Sequence, residues 1–461
     1  MSKIESEIVV ARTLLHEAME LQTAGNLAAA EMRYRMVVER GYRVADILPI
    51  LAGLAGQRGE LEEALRQWDA LLAVETHHPV ALHEKGLILD RMGRRDEAIA
   101  CLENACRKDP ENAIVANNLA VMLSNAGRKQ DALNEFQRAL ALRPDNVHVR
   151  HQVRRLSAEQ VPFWHIPMMN DARRNDAFEA AIKSALDAVG PGARVLDIGT
   201  GSGLLSMMAA RAGAWSIVAC EMVPIIADMA RQIVADNGHA GRIKIVAKPS
   251  TELEVGTDLD APADILISEI LSSDLLTENV LDTFEDAHAR LLKTDAVVIP
   301  RAASAIGCLV ESEVLANYVF VDQVSGFDVS RFGALAPQKL PIHGTMTDWR
   351  RLSADIELVR IDLTAKRHEN DLHLLSIPVL ADGVATGIVQ WMHVDLAEGV
   401  SFDNHPDGYT DGGWLQVLHN FPAPIRVRAG QTLDLAVGHD CITLIVQPLE
   451  IVSGAAATQV A

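Results

Sequence analysis

Four glycines, Gly25, Gly59, Gly93 and Gly127, follow one another at intervals of 34 residues. The same interval links Ala30, Ala64, Ala98 and Ala132, and the small residues Ala18, Ala52, Gly86 and Ala120. Pro110 and Pro144 keep step, as do Ala105 and Ala139. A fixed period of this length constrains the fold more than any local propensity. Each unit is one supersecondary element that cannot bury its apolar face alone, so neighbours must stack. The pattern predicts two short helices per unit. They cross at the small residues, turn at the Gly where φ > 0 is needed, and end before the Pro.

The clearest unit, "HPVALHEKGLILDRMGRRDEAIACLENACRKDPE", resembles the tetratricopeptide repeat. Four units are expected at about residues 11–44, 45–78, 79–112 and 113–146, the first two degenerate and lacking the Pro. An α-helical solenoid is therefore predicted over residues 1–156. The resemblance implies a superhelix whose concave face takes a peptide ligand. The alternative is an array that serves only its own chain.

The chain has 461 residues, 49% of them hydrophobic, enough for two or three domains with real cores. Its formal charge is -20, from 62 acids against 42 bases, which argues against nucleic acid as a partner. Five scattered cysteines form no metal-type quartet, so no metal is expected and the thiols are read as reduced. No apolar run reaches the roughly 18 to 20 residues of a membrane span. The acid-rich N-terminus does not read as a secretory signal. Together these features predict a cytoplasmic protein. The end of the chain, "SGAAATQVA", reads as frayed.

Beyond the array, "GARVLDIGTGSGLLSMMAARAGAWSIVACE" reads as strand, tight turn, helix, strand. Asp197 precedes the turn at Gly199, Gly201 and Gly203, and Glu221 ends the second strand, where an acid holds a ribose. A dinucleotide site spaces its glycines G-x-G-x-x-G so that the backbone reaches a pyrophosphate. Here the third Gly comes one residue early, which favours a ligand without pyrophosphate. S-adenosyl-L-methionine fits, and the pattern resembles class I methyltransferases. Ser250 and Thr251, in the turn after the third strand, are expected beside the adenine. A Rossmann-like α/β domain is predicted over residues 157–295.

The fourth strand runs into "SEILSSDLLTEN", which sets Glu269 nine positions before Glu278. From Glu252 to Ala289 there are eleven acids and no Lys or Arg. At the carboxyl end of a strand in an open α/β sheet, such a pair faces the ligand crevice. Two carboxylates can hold a guanidinium bidentately and fix its plane. From about residue 296 through residue 461 the pattern becomes alternating strands split by Gly, Asp and Pro turns, read as a β-barrel or sandwich.

These motifs resemble the protein arginine N-methyltransferases, specifically divergent branches of the family, one of which also carries tetratricopeptide repeats. The resemblance covers roughly residues 160–450. It implies a C-terminal barrel, an arginine-containing protein or peptide substrate, and Glu269 and Glu278 as the guanidinium clamp. It further implies Arg174 on the methionine carboxylate, with Asp171 nearby and Met168 and Trp414 in the substrate pocket. The family's Thr-His-Trp loop has its best match in "DGGWLQVLHN", so Gly413 stands where the His is usual. His405 and His419 could compensate. Residues 318–344 lie where family members carry a dimerisation arm, which predicts a homodimer using Phe327 and Phe332. Two other readings remain: a methyltransferase for another nucleophile, and a catalytically weak scaffold.

Overall fold

The computed structural model describes residues 3–408 and 412–449, so the terminal "SGAAATQVA" lies outside it. The described chain forms two compact units, divided after Gln160.

The first unit is a succession of antiparallel helix pairs: Lys3–Thr23 with Leu27–Glu39, Val44–Gln57 with Leu61–Val74, Pro79–Arg91 with Arg95–Lys108, and Ala113–Asn125 with Lys129–Leu142. The periodic residues explain the repetition. The four turn glycines all have φ between +77° and +79°, the left-handed conformation that ends one helix and starts the next. Ala30, Ala64, Ala98 and Ala132 are all 0% exposed at the crossings. At Gly86 a methyl group would lie 2.9 Å from Leu102 Cγ, so the third pair can approach closely only without a side chain there. Asn26, His78 and Asn112 cap helix starts through their side chains, and Pro79 occupies a first helical position. A further helix, Val147–Gln160, packs on the last pair and carries the unit past residue 156, where the sequence pattern alone ended it.

The second unit starts with a short helix, His165–Asn170, and a longer one, Ala172–Val189. Five parallel strands follow: β1 (Arg194–Ile198), β2 (Ser216–Cys220), β3 (Ile243–Val246), β4 (Ala263–Ser268) and β5 (Leu292–Ile299). Their order is β3-β2-β1-β4-β5. The chain winds outward from β1 in one direction and then returns to place β4 on its other side. The crevice at the carboxyl ends of β1 and β4 is thus the switch point where α/β sheets bind ligands. β5 stays paired with β4 through Ile299, beyond residue 295.

After β5 the chain forms antiparallel sheets. A seven-stranded sheet is built around the long strand Gly383–Ala397, which pairs with Ala302–Glu311 on one side and Val417–Val427 on the other. A three-stranded sheet joins Asp371–Pro378, Thr432–His439 and Leu444–Pro448. A single apolar core runs from Phe178 through the parallel strands to Leu435 and Val437. The Rossmann-like and antiparallel parts are therefore packed as one body.

The segment 318–344 is mixed. Val319 and Ile342 are buried, whereas Phe327, Phe332 and Leu335 are 72%, 69% and 74% exposed. A hairpin, Gln323–Val324 with Phe327–Asp328, and a 3-10 turn at Ser330–Leu335 fill the stretch between.

Candidate active site

The switch point gathers most of the residues singled out in the sequence. β1 ends at Ile198 and the chain turns through Gly199, Gly201 and Gly203, at φ +74°, +55° and +81°. A Cβ on Gly199 would lie 2.5 Å from Ile270 Cγ2, so the turn lies tight against the loop after β4. Ser268 Oγ donates to the Ile198 carbonyl at 3.1 Å and ties the two strand ends together.

Asp197 is buried in β1, and its Oδ2 accepts from the hydroxyls of Thr200 and Ser206, each at 2.6 Å. Burial holds its pKa above the ordinary carboxylate value. Glu221 follows β2. Its Oε1 accepts from the Val223 amide at 2.9 Å and its Oε2 from the Gly201 amide at 3.2 Å, which locks the acid to the glycine turn. Ser250, buried, and Thr251, exposed, lie on the single 3-10 turn Ser250–Glu252 after β3. Among the described residues no side-chain hydrogen bond joins these two to the rest of the site.

Glu269 leaves the end of β4 and meets Arg174. The Arg174 Nη2 donates to Glu269 Oε2, with both side chains buried at 6% and 7% exposure. Arg174 sits in the first turn of Ala172–Val189, capped by Asp171, whose Oδ1 accepts the Arg174 amide at 3.1 Å. Its guanidinium carbon lies 5.0 Å from the Phe178 ring centre and 5.6 Å from that of Trp414. Burial dominates the electrostatics of Glu269. It outweighs the attraction of Arg174 and, with the charges of Glu278 and Asp197, pushes the pKa up to about 7. Glu278 lies just before the helix Val280–Arg290, on a more accessible part of the loop. The packing around its carboxyl, and then the charge of Glu221, raise its pKa as well. Four acids thus converge on one crevice, and Arg174 is the only buried Arg or Lys among the described residues.

The loop between the two glutamates is held from the antiparallel sheet by Trp414, expected in the substrate pocket, and by residues the sequence did not reveal. Trp414 Nε1 donates to the Leu271 carbonyl at 2.9 Å, and the Leu415 amide to Ser273 Oγ at 3.0 Å. Gln390 Nε2 reaches the Ser273 carbonyl at 3.2 Å, and Lys339 Nζ pairs with Asp274 at 2.7 Å. Asp274, the third acid of the stretch, is therefore a structural partner of Lys339. These anchors hold Leu275 at φ +73°, a left-handed conformation that costs a branched residue about 1–3 kcal/mol.

Family-model comparison gives two matches: "Tetratricopeptide repeat" at residues 83–147 and "Ribosomal protein L11 methyltransferase (PrmA)" at residues 180–301. The "Arginine N(omega)-methyltransferase" of Streptomyces achromogenes subsp. streptozoticus is 35% identical over 328 residues, covering 70% of this chain and 90% of that protein. The chain belongs to the arginine N-methyltransferase family. Other members of the family match over a smaller share. "Protein arginine N-methyltransferase 7" of Oryza sativa subsp. indica is 33% identical over 52% of this chain and 36% of that protein. Its namesake in Drosophila yakuba is 28% identical over 59% and 46%. Against these the chain spans less than half of the relative's length. A solved structure, the "Trypanosoma brucei PRMT1 enzyme-prozyme heterotetrameric complex with AdoHcy", superposes with a TM-score of 0.51 at 25% identity, over 59% of this chain and 86% of that one.

The family's cofactor is S-adenosylmethionine, and the crevice fits it. Three buried polar atoms there have no hydrogen-bond partner: Asp197 Oδ1, Arg174 Nε and Glu269 Oε1. Buried groups are rarely left so.

The family's usual His is absent for a structural reason. A Cβ on Gly413 would lie 2.1 Å from Met168 Cγ and 2.8 Å from the Met168 backbone. The helix His165–Asn170 fills the space a side chain would need. Of the two histidines that could compensate, His419 backs the glutamate loop only through Gln390, and His405 is engaged elsewhere. His419 is buried, its Nε2 donates to Gln390 Oε1 at 3.2 Å, and it is held neutral by burial with a pKa lowered to about 3. His405 lies 3.2 Å from Asp355 and edge-on to Trp391.

Proposed function

We propose that this chain is a protein arginine N-methyltransferase in which Glu269 and Glu278 hold the acceptor guanidinium. The observation that carries the reading is the Arg174–Glu269 pair, together with the unpartnered Oε1 on the same carboxylate. Glu269 already accepts one guanidinium and retains an acceptor atom for another. S-adenosylmethionine supplies the electrophilic methyl. Glu221 takes its ribose, Gly199 and Gly201 admit it to the backbone, Ser250 and Thr251 flank its adenine, and Arg174 takes its carboxylate. Carboxylates against one edge of the acceptor leave the distant nitrogen free to attack. A carboxyl with a pKa near 7 can then accept the proton released as the new bond forms.

The helical array is read as a recruiting module for protein or peptide partners. The exposed Phe327 and Phe332 support a homodimer formed through the arm, and sedimentation of a variant with both changed to Asp would report it as monomer. Five free cysteines suit a reducing, cytoplasmic location.

Transfer of radiolabel from S-adenosylmethionine tests the central claim. Label should appear in methylarginine after hydrolysis of an Arg-Gly-rich peptide. The Streptomyces relative is named for arginine alone, so free L-arginine is the necessary comparison. Label on free arginine but on no peptide would make the acceptor a small molecule. Label on lysine or a hydroxyl would remove the guanidinium reading altogether.

A further inference from the structure

Arg174 and Glu269 form a buried ion pair that is incomplete on both sides. Arg174 Nη2 is on Glu269, its Nη1 donates to Asn175 Oδ1 at 2.9 Å, and its Nε has no partner. Glu269 spends one oxygen on Arg174 and leaves Oε1 unsatisfied. A buried pair repays its desolvation only when the remaining donors and acceptors are also met, so this one is poised for further partners. The partners it lacks are opposite in kind. The free donor suits an anion, and the free acceptor suits a cation.

The placement makes these two demands dependent on each other. Arg174 is the only buried Arg or Lys among the described residues, so an anion entering beside the glycine turn has this one buried cation to meet. Glu269 likewise has this one cation on it. As long as Arg174 leans on Glu269, an incoming guanidinium competes with it. Once an anion draws Arg174 away, Glu269 is a buried carboxylate with neither oxygen compensated, beside the acids Glu278 and Asp197 that already disfavour its charge. A cation is then bound more tightly.

We propose that Arg174 couples the two substrates: drawn to the carboxylate of the cofactor, it frees Glu269 for the acceptor guanidinium, so that each ligand strengthens the other's binding. Arg174 is on this account an internal occupant of the acceptor's site as well as a cofactor ligand. The inference rests on the function proposed above and adds an order to it. Cofactor comes first, because Arg174 holds one of the two Glu269 oxygens until the anion arrives, and a bidentate guanidinium needs both. The coupling is reciprocal, so the acceptor must raise cofactor affinity by the same factor.

Calorimetric titration of the full chain with an Arg-Gly peptide tests this in three states: alone, saturated with S-adenosylhomocysteine, and saturated with 5′-methylthioadenosine. The last keeps the nucleoside and the sulfur and lacks the amino-acid end. S-adenosylhomocysteine should tighten peptide binding about 5- to 150-fold, the usual span of a coupling of this kind, and 5′-methylthioadenosine should leave it unchanged. In Arg174→Met the first ligand should lose its effect. If that variant fails to fold, the comparison of the two nucleosides on the unaltered protein decides alone. Equal tightening by both nucleosides overturns the coupling and leaves the proposed function standing, as does peptide affinity that is the same in all three states. A peptide bound in no state overturns both.

Discussion

Glu63 in the helical array and Glu269 in the crevice are both paired with arginine, and their chemistry runs in opposite directions. Burial acts on both, raising the pKa. On Glu63 it is outweighed by hydrogen bonds from Arg35, Arg66 and Gln67, and the pKa falls to about 2. On Glu269 burial wins over a single arginine, and the pKa rises to about 7. Two things differ: Glu269 is much more deeply buried, and it has fewer partners. Glu63 shares its oxygens among three donors, within a wider network in which Arg35 and Arg58 also hold Glu31. Glu269 has one donor and an orphaned oxygen. A satisfied carboxylate holds a fold together, whereas an unsatisfied buried one keeps its binding capacity for a ligand. The array satisfies Glu63 fully, and the crevice satisfies Glu269 only in part.

The largest expected effect comes from the two glutamates of the loop. Glu278→Gln and Glu269→Gln are nearly isosteric and remove only the charge. Each should lower kcat by on the order of 100-fold or more, the range of a lost acid–base or orienting carboxylate. Binding of S-adenosylhomocysteine should stay near that of the parent. A double Gln variant that methylates arginine at a normal rate would remove the clamp.

How far the sequence predicts these two regions follows from the same contrast. The array was legible because its contacts are between neighbours at a fixed period. Gly25 to Gly127 and Ala30 to Ala132 each announce one crossing or one turn. The glycine turn and its acids were legible because strand, turn and helix are contiguous. What holds the glutamate loop was not. Gln390 reaches Ser273 across 117 residues and Trp414 reaches Leu271 across 143, with no periodicity to connect them. The strand Asp371–Pro378 also escaped, because it lies at the edge of its sheet with Leu372 and Leu374 turned outward at 61% and 60% exposure. Only Leu375 and Ile377 of the strand turn towards the core. Nor could the sequence say why Gly413 replaces the usual His, since the reason is Met168, a residue from the other end of the unit.

Gly413→His should therefore harm the protein rather than restore a missing part. The new side chain has to displace the helix His165–Asn170, and overpacking of this kind costs about 1–3 kcal/mol. Thermal unfolding should register a lower Tm. An unchanged Tm with higher activity would mean that the helix yields easily and that Gly413 is a loss rather than an accommodation.

Glu221 is the satisfied acid within the crevice, held by the amides of Gly201 and Val223. It tests whether satisfaction by backbone is compatible with ligand binding. Hydrogen bonds to a charged group are worth roughly 1.5–3 kcal/mol, so Glu221→Ala should weaken S-adenosylmethionine at least about tenfold by calorimetry. Undiminished affinity would confine Glu221 to holding the turn.

The smallest effect is expected in the array, and its sign matters more than its size. Glu63→Gln should cost about 0.5–1 kcal/mol at neutral pH, the scale of an ion pair near the surface. The folded pKa of Glu63, about 2, lies below its ordinary value of 4.5. Its contribution to stability is therefore present above 4.5 and is lost as pH falls towards 2. For Glu269 the folded pKa, about 7, lies above 4.5, so ionising it in the fold costs stability as pH rises between those values. Unfolding of the parent and the two Gln variants by denaturant across pH 2 to 8 separates these cases. Relative to the parent, Glu63→Gln should lose stability as pH climbs from about 2 to 4.5. Glu269→Gln should gain it from about 4.5 to 7. Slopes of the same sign would mean that Arg174 satisfies Glu269 as fully as Arg35 and Arg66 satisfy Glu63, and the contrast between the two arginine-paired glutamates would disappear.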